Sequence, residues 1–94
     1  MIKTEEKRYK IEKSEIEKYK KEDRIIIDVR SNQEYQEGHI KGAISIPEYE
    51  IESKIENKIK DKNQKILLYC DSGARSKKAK QKLEKLGYKS VISI

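Results

Sequence analysis

The chain has 94 residues, 34% of them apolar and 43% charged, with no Trp or Phe, so two independent globular domains are excluded and the core must come almost wholly from Ile, Leu, Val and Tyr. Lys and Arg number 23 against 17 acidic residues, a net charge of +6 that favours anionic partners. The signs are interspersed, no nucleic-acid-binding motif stands out and the six tyrosines form no stacking platform among basic residues, so nucleic acid is not the expected partner.

At the start, MIKTEEKRYK lacks the apolar core of a signal peptide, and no later stretch approaches the roughly 20 apolar residues of a membrane span. The expectation is a cytoplasmic chain with no membrane contact. Tyr9-Lys10-Ile11 is a candidate first strand, and Ser14 with Glu17 has capping-box spacing for a helix through about Glu22, with Ile16 and Tyr19 facing inward. Ile25 to Val29 is an apolar, β-branched run, the pattern of a strand buried on both faces. Ser31 and Glu34 repeat the capping-box spacing and predict a short helix to Gly38, where a glycine permits a left-handed cap.

Ala43 to Ile46 reads as a short strand stopped by Pro47, which suits the first turn of a following helix. Ile51, Ile55 and Ile59 recur every fourth residue and so lie along one side of that helix, with Glu50 and Lys54 placed for an exposed ion pair. Ile66 to Tyr69 is the second strongly apolar strand, and it runs straight into Cys70 and the loop Asp71-Ser72-Gly73-Ala74-Arg75. A helix from about Ser76 follows, with Ala79, Leu83 and Leu86 inward and Gly87 as its C-terminal cap, before a last strand at Val91 to Ile94. No linker, repeat or low-complexity tract interrupts residues 1–94, so a single α/β domain with a parallel sheet is expected.

Cys70 is the only cysteine and His39 the only histidine, which rules out an internal disulfide or a thiolate zinc cage; no metal is expected. In open parallel sheets reactive groups gather where loops leave the carboxyl ends of strands, and Cys70 occupies that place. The short loop with Gly73 allows successive N–H groups to turn inward above a helix N-terminus, which stabilises a thiolate and lowers its pKa without a histidine base. The bland alternative is a cysteine buried for packing.

The run Cys70-Asp71-Ser72-Gly73-Ala74-Arg75-Ser76 resembles the CxxGxRS active-site loop of rhodanese-like sulfurtransferases. Upstream, Asp28-Val29-Arg30, Glu34, Gly38-His39-Ile40-Lys41-Gly42-Ala43 and Ile46-Pro47 resemble the same family's DVR and E-GHI-GA-IP motifs. The resemblance runs from about Arg24 to the end. It implies a three-layer α/β fold with a central parallel sheet of about five strands flanked by helices. It also implies transfer of sulfane sulfur from thiosulfate or another small anionic donor, through a Cys70 persulfide, to cyanide, a thiol or a protein acceptor, with no cofactor. The loop from Asp71 to Ser76 would hold the persulfide. A noncatalytic rhodanese-like module that binds a protein partner is the first alternative. Related phosphatases and arsenate reductases use Cys-x5-Arg, whereas four residues separate Cys70 from Arg75 here, a ring better sized for one sulfur atom.

The supporting residues carry two readings each. Arg75 either orients an anionic donor or pairs with a carboxylate. Ser76 reads as a helix N-cap before a substrate contact. His39, in the GHI-GA motif, is expected to shape a turn near the site and not to act as a base. Asp28 and Arg30 are candidates to brace the loop ends, with an Arg30 to Glu34 bridge as the plain alternative. Lys77 and Lys78 either form a positive rim or reflect a lysine-rich chain. Two features depart from the family pattern. Asp71 sets a carboxylate beside the sulfur, expected to oppose thiolate formation and the approach of doubly charged thiosulfate. The chain also ends at Ile94, where such domains commonly continue through a GG-containing turn into a closing helix. The apolar surface this ending would uncover is either satisfied by self-association or belongs to a compact or truncated domain without the closing helix, with a monomer or weak dimer expected.

Overall fold

The computed structural model describes residues 13–94. Helix α1 (Lys13–Lys21) leads into strand β1 (Ile25–Asp28), and helix α2 (Asn32–Glu37) into strand β2 (Ile44–Ser45). A single 3₁₀ turn (Glu48–Glu50) precedes helix α3 (Ile51–Lys58), then come strand β3 (Ile66–Tyr69), helix α4 (Ala74–Lys85) and strand β4 (Val91–Ser93). The strands form one all-parallel sheet in the order β2-β1-β3-β4. The sheet thus has four strands among the described residues against the expected five. The candidate strand at Tyr9 to Ile11 lies outside those residues.

Alternation along the central strands divides the core into two layers of side chains, because successive residues point to opposite faces. Ile27, Val29, Ile66, Leu68 and Cys70 face α3 and α4, where Ile51, Ile55, Ile59, Ala79 and Leu83 meet them. Ile26, Leu67 and Tyr69 face the other way, against Ile16, Ile40 and Ala43, with Tyr19 and Tyr35 packed alongside. Helices therefore cover both faces, and the central strands β1 and β3 are mostly apolar and buried because neither of their faces meets water. Tyr49 is the one large hydrophobic side chain left exposed among the described residues. None of their helices is long and apolar enough to cross a membrane.

Several local expectations hold in detail. Ser31 caps α2 with both halves of a capping box formed by Glu34. Lys54 pairs with Glu50 at 2.8 Å across one helical turn. Others are corrected. Ser14 lies within helix α1 among the described residues instead of capping it. Gly38 ends α2 with φ 154° and ψ 139°, a glycine conformation but not the left-handed one, because the chain must turn at once toward β2. Pro47 begins the 3₁₀ turn, with α3 one turn further on.

Parallel pairing brings Asp28 of β1 opposite Tyr69 of β3, and Cys70 follows one residue beyond that pair. Strand ends from β1 and β3 thus deliver Asp28, Arg30 and the cysteine loop to the same carboxyl end of the sheet.

Candidate active site

The loop after β3 wraps its own backbone around Cys70. Gly73, the N-cap of α4, adopts φ 90° and ψ −13°, a left-handed conformation that a side chain would strain, although a Cβ there would meet nothing within 4 Å. That turn aims the Gly73 N–H at Cys70 Sγ (3.0 Å), and the first turn of α4 adds the Ser76 N–H (3.4 Å). The Ser76 hydroxyl stands 3.6 Å from the sulfur. Cys70 itself is buried, 1% exposed. Burial pushes its thiol pKa up, but the Ser76 hydroxyl and the main-chain N–H groups of Ser76, Gly73 and Ser72 outweigh that and hold it below the ordinary value of 9.0. A buried sulfur with inward N–H donors favours the anion over the neutral thiol.

Ser76 is not the N-cap the sequence suggested; α4 begins at Ala74 and Ser76 lies inside its first turn, fully buried. Its hydroxyl reaches the main-chain oxygens of Ile94 (2.6 Å) and Gly73 (3.1 Å) as well as Sγ. Carbonyl oxygens only accept, so the single hydroxyl proton serves one of three acceptors at a time. Ser76→Ala is expected to raise the Cys70 pKa, since one donor to the thiolate disappears while the amides stay. Thiol alkylation measured across pH should fall about tenfold per unit on the acid side, with that limb displaced to higher pH in the variant. Coincident profiles would deny the hydroxyl any part in holding the anion.

Arg75 takes the carboxylate reading. Its guanidinium forks onto Glu34 at 2.8 and 3.1 Å and reaches Asp71 at 3.1 Å, and these carboxylates raise its pKa further. Glu34 is held at about 2, first by Arg75, against partial burial, and then by Ser31, whose N–H and hydroxyl both donate to it. One carboxylate therefore closes the α2 cap and clasps the cysteine loop from 41 residues away. Asp71 is exposed and turned onto Arg75. Its carboxylate is expected to oppose the thiolate, and the Cys70 pKa is lowered all the same by the Ser76 hydroxyl and the loop N–H groups.

Asp28 and Arg30 form a buried pair, 0% and 1% exposed. Arg30 Nη2 and Nε bind the carboxylate at 2.8 and 3.0 Å, and the Arg30 N–H adds a third donor at 2.9 Å. Arg30 also donates to the Gly38 carbonyl (2.6 Å). The Tyr69 hydroxyl donates to Asp28 (2.9 Å) and accepts from the Ile40 N–H (3.0 Å). This network ties the ends of β1 and β3 to the turn before β2, immediately behind Cys70. His39 lies over Tyr35, ring centroids 3.7 Å apart, with Nδ1 2.8 Å from the Tyr35 carbonyl, so it braces α2 and is not turned to the sulfur.

Sequence reading missed the Glu34 clasp, the Tyr69 hydroxyl and the Ile94 oxygen. Capping-box spacing marked Glu34 for a local role only, and nothing in the residue pattern marked the other two. Among the described residues no three His, Cys, Asp or Glu side chains converge as metal ligands.

Comparison with known proteins fits this geometry. The Escherichia coli thiosulfate sulfurtransferase PspE is 42% identical over 65 residues, 69% of this chain and 62% of that protein. The putative sulfur carrier protein YrkF of Bacillus subtilis is 39% identical over 69 residues, 73% of this chain and 36% of that protein. The chain thus spans less than two thirds of either relative. A solved E. coli structure, described as rhodanese with anions, superposes with a TM-score of 0.71 at 38% identity, covering 74% of this chain and 82% of that one. The profile of the rhodanese-like domain matches residues 12–94, and with the cysteine loop, the parallel sheet and these relatives in agreement, the chain belongs to the rhodanese-like domain family.

Proposed function

We propose that the chain is a sulfurtransferase that accepts sulfane sulfur from thiosulfate or a persulfide donor onto Cys70 and passes it to a thiol, cyanide or a protein acceptor. The observation that carries this reading is the ring of N–H donors, from Gly73 and Ser76, aimed at a buried sulfur whose pKa lies below its ordinary value. With thiosulfate, the Cys70 thiolate attacks the outer sulfur, an Sγ–S bond forms, the donor S–S bond breaks and sulfite departs with the electron pair. The charged persulfide then takes the thiolate's place among the loop amides from Asp71 to Ser76. In the second step an acceptor thiolate or cyanide attacks the outer sulfur and Sγ leaves as the thiolate. Asp28 and Arg30 hold the floor of the loop, and His39 holds the α2 end; none of the three takes part in bond making.

The whole of residues 1–94 acts in this reading as one rhodanese-like unit, monomeric or weakly dimeric, without metal or organic cofactor. A cytoplasmic setting suits it, because the exchange requires Cys70 to stay reduced. Intact-mass measurement after exposure to thiosulfate, and separately to a low-molecular-weight persulfide, should show a gain of one sulfur atom mapping to the peptide that contains Cys70. Treatment with cyanide should remove it. An unchanged mass with both donors would end the proposal.

A further inference from the structure

Arg75 is the cationic residue of the cysteine loop, and it is shared between two carboxylates, Glu34 at 2.8 Å and Asp71 at 3.1 Å. One guanidinium against two carboxylates leaves one unit of negative charge at the mouth of the site. Asp71 follows Cys70 directly, and its side chain is 51% exposed, so this charge faces whatever approaches from solvent. The donors that meet the sulfur itself are main-chain N–H groups and one hydroxyl, enough for a single atom but without a free fork for a sulfonate.

We infer that Asp71, on an Arg75 already taken by Glu34, is a specificity-determining residue that disfavours doubly charged sulfur donors and directs the site to organic persulfides, R–S–SH. This rests on the sulfurtransferase reading above and narrows its donor class. An organic persulfide brings its outer sulfur without a sulfonate. The Cys70 thiolate attacks that outer sulfur, the Sγ–S bond forms, the donor's S–S bond breaks, and RS⁻ leaves with the electron pair while the proton stays on the transferred sulfur. Thiosulfate delivers the same atom attached to an SO₃ group, two negative charges that must pass the Asp71 carboxylate. Lys77 lines a groove with Gly73, Lys80, Ser93 and Ile94, and it supplies a positive field that is identical whatever residue stands at position 71.

The test compares sulfur loading of Cys70, read by quenched intact mass at low salt, from three donors of different charge: thiosulfate (dianion), methanethiosulfonate (monoanion) and cysteamine persulfide (cationic amine). Thiosulfate and methanethiosulfonate transfer the same outer sulfur and release sulfite and methanesulfinate respectively, so they differ chiefly by one charge. In water-like surroundings two unit charges about 7 Å apart interact by about one RT, which would change a rate by about 2.7-fold per unit of donor charge. Asp71→Asn is therefore expected to raise loading from thiosulfate about five- to tenfold and from methanethiosulfonate about two- to threefold, and to lower loading from cysteamine persulfide by about two- to threefold. Added salt should shrink all three effects, and Asp71→Glu should keep the wild-type ratio between donors. Equal changes for all three donors, or an unchanged ratio in Asp71→Asn, would overturn the inference while leaving Cys70 chemistry standing. Absence of loading from every donor would overturn both.

Discussion

Cys70→Ser is expected to reduce sulfur loading by at least about a thousandfold, to the background of the assay. The donors that stabilise a thiolate, the N–H groups of Gly73 and Ser76, would still be present and aimed at residue 70. They act on a group whose ordinary pKa is 9.0 and lies below that in the folded chain, whereas an alcohol is far too weak an acid for two such hydrogen bonds to ionise it near neutrality. Oxygen also has no persulfide to form. The substitution should leave the fold intact, because serine is slightly smaller and its oxygen accepts the same N–H bonds; a stability change within about 2 kcal/mol is expected. Intact mass after donor exposure, beside thermal unfolding of both proteins, separates the two effects. Loading of the variant at the wild-type rate would place the reactive sulfur elsewhere and reject the mechanism.

Asp28→Ala should cost about 3–5 kcal/mol of folding stability, because it removes the carboxylate from a guanidinium that is itself 1% exposed. A domain of this size has a total stability of about 5–15 kcal/mol, so the loss removes a large share of it and the variant should unfold at a clearly lower urea concentration. The loss is larger than that of an exposed ion pair because Arg30 cannot exchange its partner for water without opening the sheet edge. Two further groups are left short: the Tyr69 hydroxyl loses its acceptor and the Arg30 N–H loses a 2.9 Å bond. Urea unfolding followed by far-ultraviolet circular dichroism measures the effect. Asp28→Asn, which keeps an acceptor oxygen but not the charge, should fall between the two. A loss below about 1 kcal/mol would mean that Arg30 finds another counter-charge, and that the buried pair is not what holds this edge together.

The consequences for the site follow from chain connectivity. Tyr69 immediately precedes Cys70, so releasing its hydroxyl loosens the strand end from which the cysteine loop departs. In the proposed reaction the pair would act only through position, whereas the N–H groups of Gly73 and Ser76 touch the sulfur.

Features legible along the chain lie within a few residues of each position or in a run of similar side chains. Ser31 and Glu34 close a capping box because both partners sit in one helical turn, and Glu50 and Lys54 pair for the same reason. The apolar runs Ile25 to Ile27 and Ile66 to Tyr69 announced strands buried on both faces, and the loop from Cys70 to Ser76 announced its turn through Gly73 and the helix that follows. Only the tertiary structure decided the strand order β2-β1-β3-β4, the four strands of the described sheet, and which carboxylate each arginine takes. Arg30 turns back to Asp28 and Glu34 crosses to Arg75 because parallel register sets the ends of β1 and β3 side by side, and residues 41 apart then compete for the same charges. Such choices depend on which ends of the chain meet in space, and no spacing along a single segment records them.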